Sequence, residues 1–142
     1  MDDQFTILRR AFNKLGSRWV TSGDMAASFH ARYMRVPFRP PKQFDFIIGK
    51  HNRDKFVNVL MHHGYELVSI KSSRRNIRFE KRGYIPVNIH LSENSPVGMS
   101  YDSKIPLQRL ENIPNVKRLT NYKYKLHTMV NSLLRNINMS VN

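Results

Sequence analysis

The chain contains no cysteine, so neither a disulfide nor a thiolate metal site can hold it together. It is also short of acid: 10 Asp and Glu face 24 Lys and Arg, a formal net charge of +14. An excess of that size opposes compaction by self-repulsion and attracts polyanions, and it exceeds the few units that solubility requires. No apolar run reaches the roughly 18 residues needed for a membrane-spanning helix. The start, Met1-Asp2-Asp3-Gln4, lacks the basic-then-apolar plan of a secretory signal, so a soluble, intracellular protein is expected. Internal repeats and low-complexity blocks are missing too. There are six histidines but no His-x-x-x-His pair; His62 and His63 are adjacent and diverge on a helix, so no metal site is expected from them. His30 reads as a packing residue. Gly49-Lys50 lacks the earlier glycine and the following Ser or Thr of a phosphate loop.

What is present is enough apolar material for a folded body: 40% hydrophobic residues, 11% aromatic, spread along the length. At 142 residues the expectation is a single domain over 1–142, with its core in 5–136 and a frayed tail at 137–142. Phe5 to Arg18 reads as an amphipathic helix with Leu8, Ala11, Phe12 and Leu15 on one face. Trp19 to Ser22 reads as a short strand closed by Gly23. Asp24 is placed to cap a second helix, Met25 to Met34, with Met25, Phe29 and Tyr33 on one side. The three prolines of Val36 to Lys42 force a loop. Phe44 to Ile48 is a strand by composition. Asn52 to His63 reads as a third helix, with Phe56, Val59, Leu60 and His63 on one face and Gly64 as its stop. Glu66–Ile70, Ile77–Glu80 and Val87–Leu91 are three more strands, joined by turns that suit antiparallel pairing. Ser92 to Ser103 reads as loop and Leu107 to Leu110 as a short helix before Pro114. Thr120 to Asn136 is the longest expected helix. Its apolar stripe suits a core and leaves homodimerisation open. The order predicts an α+β fold, a mixed β-sheet with packed helices.

Three segments carry a resemblance. Trp19-Val20-Thr21-Ser22-Gly23-Asp24 resembles a strand that runs into a Gly-Ser type turn and opens a helix. Gln43-Phe44-Asp45-Phe46-Ile47-Ile48 resembles a strand with Asp-x-Asp followed by apolar residues. Val87-Asn88-Ile89-His90-Leu91 stands where a third carboxylate strand would follow. Together with Leu119-Thr120-Asn121-Tyr122-Lys123, these are similar to the minimal nucleotidyltransferases of the polymerase-beta-like superfamily, toxin-type members included. The resemblance spans Phe5 to Arg135, with poor matching around 92–115. It implies a nucleotidyltransferase-like fold, with Asp45, Asp24, Ser22 and Gly23 as the active-site candidates.

Two Mg²⁺ ions aligning a nucleotide and a hydroxyl require several converging carboxylates. Here Gln43 replaces the first Asp, and Asn88 or His90 occupies the third position, leaving Asp45 as one carboxylate. The expectation is therefore a degenerate transferase fold, a pseudoenzyme without metal or cofactor. Mg²⁺ enters only if the chain is an active transferase.

Basic residues gather in three places: Arg35, Arg39 and Lys42 around the proline loop; Lys71, Arg74, Arg75, Arg78, Lys81 and Arg82 around the second hairpin; and Lys117, Arg118, Lys123 and Lys125 near the last helix. Arginine forks and loop backbones suit phosphates. Phe38, Tyr84 and Tyr101 lie near these clusters, where stacking on bases competes with ordinary packing. Three functions follow in order of preference: a non-catalytic RNA- or DNA-binding protein, an active Mg²⁺-dependent nucleotidyltransferase, or a small viral or mobile-element factor that docks on an acidic host protein.

Overall fold

A computed structural model describes residues 2–71, 75–102 and 104–113, without the side chains of residues 2 and 69–71. The elements are α1 (Asp2–Asn13), β1 (Trp19–Ser22), α2 (Gly23–Met34), β2 (Phe44–Gly49), α3 (Arg53–His62), β3 (Glu66–Lys71), β4 (Asn76–Glu80) and β5 (Val87–Ser92). Short 3₁₀ turns occupy Lys50–Asn52 and Leu110–Asn112. The strands form one mixed sheet in the order β1-β2-β5-β4-β3. Among the described strands β2–β5 is the parallel pair; β1–β2, β5–β4 and β4–β3 are antiparallel. A parallel neighbour needs a crossover, and α3, β3 and β4 supply it.

Strand alternation sorts the sheet into two faces. Phe44, Phe46, Ile48, Ile77, Phe79, Val87 and Ile89 are buried on the face covered by the helices. From α1, Phe5, Leu8 and Phe12 meet them at helical spacing. Phe12 is the hub, with ring centroids 5.0 Å from Phe46, 5.0 Å from Phe56 and 5.7 Å from Trp19 in edge-on geometry. Such pairs contribute about 0.5–1.5 kcal/mol each beyond their buried area. A second cluster packs Ala26, Ala27 and Ala31 of α2 against Ile113.

Several boundaries depart from expectation. The first helix stops at Asn13, not Arg18, because Gly16 takes a left-handed φ of 69° and Asn13 Oδ1 accepts a 2.9 Å bond from Trp19 Nε1. The second helix begins at Gly23, so the N-cap position falls on Ser22 and not on Asp24. Its supposed apolar side is graded: Met25 is buried, Phe29 half-buried and Tyr33 exposed. In α3, Phe56, Val57 and Leu60 are buried, while His63 lies past the helix end. Leu107 is extended, bridging Thr21 and Met99, and the short helix falls instead on Leu110–Asn112. The long helix expected at Thr120–Asn136 lies outside the described residues.

A buried glutamine pins α1 in place. Gln4 Nε2 donates to Ile85 O (2.8 Å) and to the Tyr65 hydroxyl (2.8 Å), and Gln4 Oε1 accepts from Ile85 N (3.0 Å). The amide thus pairs with both backbone groups of Ile85, as a neighbouring strand residue would.

On the core face, register places Thr21 opposite Phe46, and its buried hydroxyl has no hydrogen-bond partner among the described residues. An unmet buried hydroxyl costs about 1–3 kcal/mol. Thr21→Val keeps the shape and removes that group, so urea unfolding should show stability raised by about 1 kcal/mol. A lowered midpoint would show that the hydroxyl is satisfied.

Candidate functional site

The other face of the sheet carries the polar residues. Register aligns Ser22, Asp45, Asn88 and Arg78 in one row across β1, β2, β5 and β4. The next row holds Val20, Ile47, His90 and Asn76. At the head of the first row β1 turns into α2 at Gly23, whose φ is +59°. A Cβ there would sit 2.8 Å from Asp45 Oδ2, so glycine is required both by conformation and by the closeness of the carboxylate.

Asp45 is only 5% exposed, and N–H groups surround its carboxylate. Gln43 Nε2 donates to Oδ1 at 3.2 Å and to Oδ2 at 3.4 Å; His90 Nε2 donates to Oδ1 at 3.0 Å. The Gln43 amide is oriented from behind: Arg78 Nη1 donates to Gln43 Oε1 at 3.3 Å. A guanidinium can only donate, so the amide oxygen faces Arg78 and its NH₂ faces Asp45. Arg78 Nε also pairs with Glu80 at 3.1 Å. Asn76 holds the remaining His90 nitrogen, Nδ1. Arg78, Gln43 and Asp45 therefore form a relay, and His90 closes it from the next strand.

Above this floor lies an open cavity of about 630 Å³, lined among others by Ser22, Gly23, Lys42, His90 and Gln108. The N-terminus of α2 opens into it, where backbone N–H groups and the helix dipole favour an anion. Gly23 N donates weakly to Gln108 Oε1 at 3.4 Å. Asp24 also lines the cavity, and its carboxylate pairs with Arg39 at 3.0 Å in an exposed contact.

The site thus gathers Ser22, Gly23, Asp24, Lys42 and Asp45 from the expected set, with Arg39 and Arg78 at its edges. Gln43 and His90, not Asn88, contact Asp45. The hairpin cations are spread along β4. Arg75 pairs with Glu93 at 3.6 Å at one end, and salt-bridged Lys50 holds the Glu93 carboxyl below its usual pKa range. At the other end Lys81 donates to His63 O at 2.9 Å and lies over the Tyr65 and Tyr84 rings. Arg82 is exposed beside it, and Arg35 is in the loop after α2. Arg74 and Lys117, Arg118, Lys123 and Lys125 lie outside the described residues, as does the Lys71 side chain.

Mg²⁺ takes oxygen ligands in octahedral array. Asp45 meets three N–H···O contacts from Gln43 and His90, and Oδ2 is pressed against Gly23. Among the described residues no group of three or more His, Cys, Asp or Glu is disposed to hold a metal ion. The described donor set does not fit a two-metal centre. Among the described residues no helix is long and apolar enough to cross a membrane.

No family model and no curated protein sequence matches the chain. Solved structures do. A solution structure of the antibiotic-resistance factor ANT(2'')-Ia superposes with a TM-score of 0.60 at 11% identity, over 99% of this chain and 96% of that one. The crystal structure of a candidate nucleotidyltransferase from Thermotoga maritima superposes with a TM-score of 0.53 at 16% identity, over 94% of each chain. The class is thereby defined: this is a mixed-sheet α+β protein with the nucleotidyltransferase-like fold. At such identities the likeness establishes the fold, and the site must be read from its own residues.

Gly23→Ala should cost more than the roughly 1–2 kcal/mol of a left-handed alanine, because the methyl also collides with Asp45. Denaturant melts of Gly23→Ala, Asp45→Ala and the double variant should show the second cost relieved when the carboxylate is gone. Strict additivity would mean that turn and carboxylate are not in contact.

Proposed function

We propose that this chain is a non-catalytic nucleic-acid-binding protein that uses a nucleotidyltransferase-like fold to hold phosphates. One observation supports this most directly: the carboxylate at the heart of the site is engaged by Gln43 and His90 N–H groups, with Arg78 behind them, where metal chemistry would need free carboxylate oxygens. Removing metal capacity while keeping the Ser22-Gly23 turn and the α2 N-terminus leaves an anion site without a means to activate a nucleophile. Exposed Lys42 lines the cavity, and Arg39 lies at its rim through its pair with Asp24. The net charge of +14 gives the long-range attraction that a polymer of phosphates would exploit.

In this reading Ser22 and the first N–H groups of α2 receive a phosphate oxygen. Gly23 allows the close approach, and Lys42 neutralises the charge. Asp45 holds the floor: its charge is balanced within the protein by the Gln43–Arg78 relay and by His90.

Fluorescence anisotropy with labelled 12-mers of single-stranded RNA and DNA checks this. Affinity should fall by orders of magnitude between 50 and 200 mM salt and be unchanged by EDTA. Lys42→Ala should lower the salt slope by about one. Magnesium-dependent transfer of label from a nucleoside triphosphate, lost in Asp45→Asn, would establish the active-transferase reading instead. Capture of an acidic protein with no oligonucleotide binding would establish the protein-docking one.

A further inference from the structure

About 15 Å along α2 from Gly23, at the rise of a helix over ten residues, stands a second feature that phosphate recognition does not use. Tyr33 and Tyr101 stack with ring centroids 3.8 Å apart and planes 14° apart. Tyr33 nevertheless stays 61% exposed, with one ring face against Tyr101. An aromatic ring left open to water on a helix that buries Met25, Ala26, Ala27, His30 and Ala31 stands out from its surroundings.

The pair is held from beneath. The Tyr101 hydroxyl meets His30 Nδ1 at 2.6 Å, and His30 Nε2 donates to Gln108 O at 2.9 Å. The same Gln108 accepts from Gly23 N through its side chain. Gln108 and fully buried His30 therefore tie the aromatic pair to the glycine turn through a continuous set of contacts. The groove beside the pair, about 610 Å³, is lined by Arg32, Arg35, Asp102 and apolar Phe29, Ile105 and Leu107. A carboxylate there suits an N–H donor on the edge of a base, such as N3–H of thymine or uracil, and disfavours a phosphate, whereas the two arginines suit phosphates on either side.

We infer that Tyr33, backed by Tyr101, is a stacking platform for one base of a single-stranded nucleic acid whose phosphates pass the α2 N-terminus. The inference deepens the nucleic-acid reading above and rests on it. A duplex keeps its bases stacked inside and has none to offer at this ring, so the platform selects single strands. Arg35, held in a left-handed conformation at the end of α2, places its guanidinium at the edge of the groove.

The test uses labelled dT12, rU12, an abasic 12-mer with the same phosphate count, and a 12-base-pair duplex. Wild-type protein and the Tyr33→Ala and Tyr33→Phe variants are compared, with circular dichroism confirming that each is folded. Wild type should bind dT12 or rU12 more tightly than the abasic strand or the duplex. Tyr33→Ala should weaken single-strand binding roughly 5- to 100-fold, leave abasic binding and the salt slope unchanged, and be rescued by Tyr33→Phe. Equal affinity of Tyr33→Ala and wild type for dT12 and rU12 overturns the platform while leaving the phosphate site standing. If wild type binds none of the four probes at 50 mM salt, the nucleic-acid reading fails and takes the platform with it.

Discussion

Asp45 governs how the site is arranged. A carboxylate buried to 5% exposure is costly unless its oxygens are met by donors, and here Gln43 and His90 meet them. That requirement fixes much else. It orients the Gln43 amide, which in turn engages Arg78; it brings β5 alongside β2 in the one register that delivers His90; and it forbids any side chain at Gly23. The N-terminus of α2 and the cavity in front of it follow from that closeness. A site organised around donors to a carboxylate is electrostatically different from one organised around a cation held by carboxylates, although the same backbone can carry either.

Local sequence signals revealed those elements whose chemistry is local. The run Phe44-Asp45-Phe46-Ile47-Ile48 reads as a strand because β-branched and aromatic residues fit a pleated, buried surface, and Gly64 stops α3 through its left-handed φ of 87°. The turn at Ser22-Gly23 was legible for the same reason. Helix ends were less so: Gly16 and the Asn13–Trp19 bond end α1 early, and that bond crosses six residues. Asp24 looked like a cap because Asp is a good one, yet the chain enters the helix two residues sooner and Arg39 takes the carboxylate.

The contacts that define the site were not legible, since they depend on strand order. Gln43 meets Arg78 across 35 positions, and His90 meets Asp45 across 45. No local periodicity encodes that β5 enters the sheet between β2 and β4. Asn88 is the register partner of Asp45, but a direct partner on a parallel neighbour need not be the one whose side chain reaches the carboxylate. The Tyr33–Tyr101–His30–Gln108 chain was hidden likewise, through contacts that span 68 to 78 positions. Tyr33 in particular looked like one more member of a helix's apolar side, and only the packed fold shows it outside.

The central claim, that the Asp45 site is built to meet phosphate without a metal, can be tested by paramagnetic relaxation. In ¹⁵N-labelled protein the Gln43 side-chain amide lies within hydrogen-bonding distance of Asp45, so a Mn²⁺ ion on that carboxylate would broaden it strongly. The account predicts that micromolar Mn²⁺ leaves the Gln43 amide and Gly23 signals sharp, whereas a single-stranded oligonucleotide shifts them. Saturable broadening centred on these two residues, reversed by Mg²⁺, would contradict it.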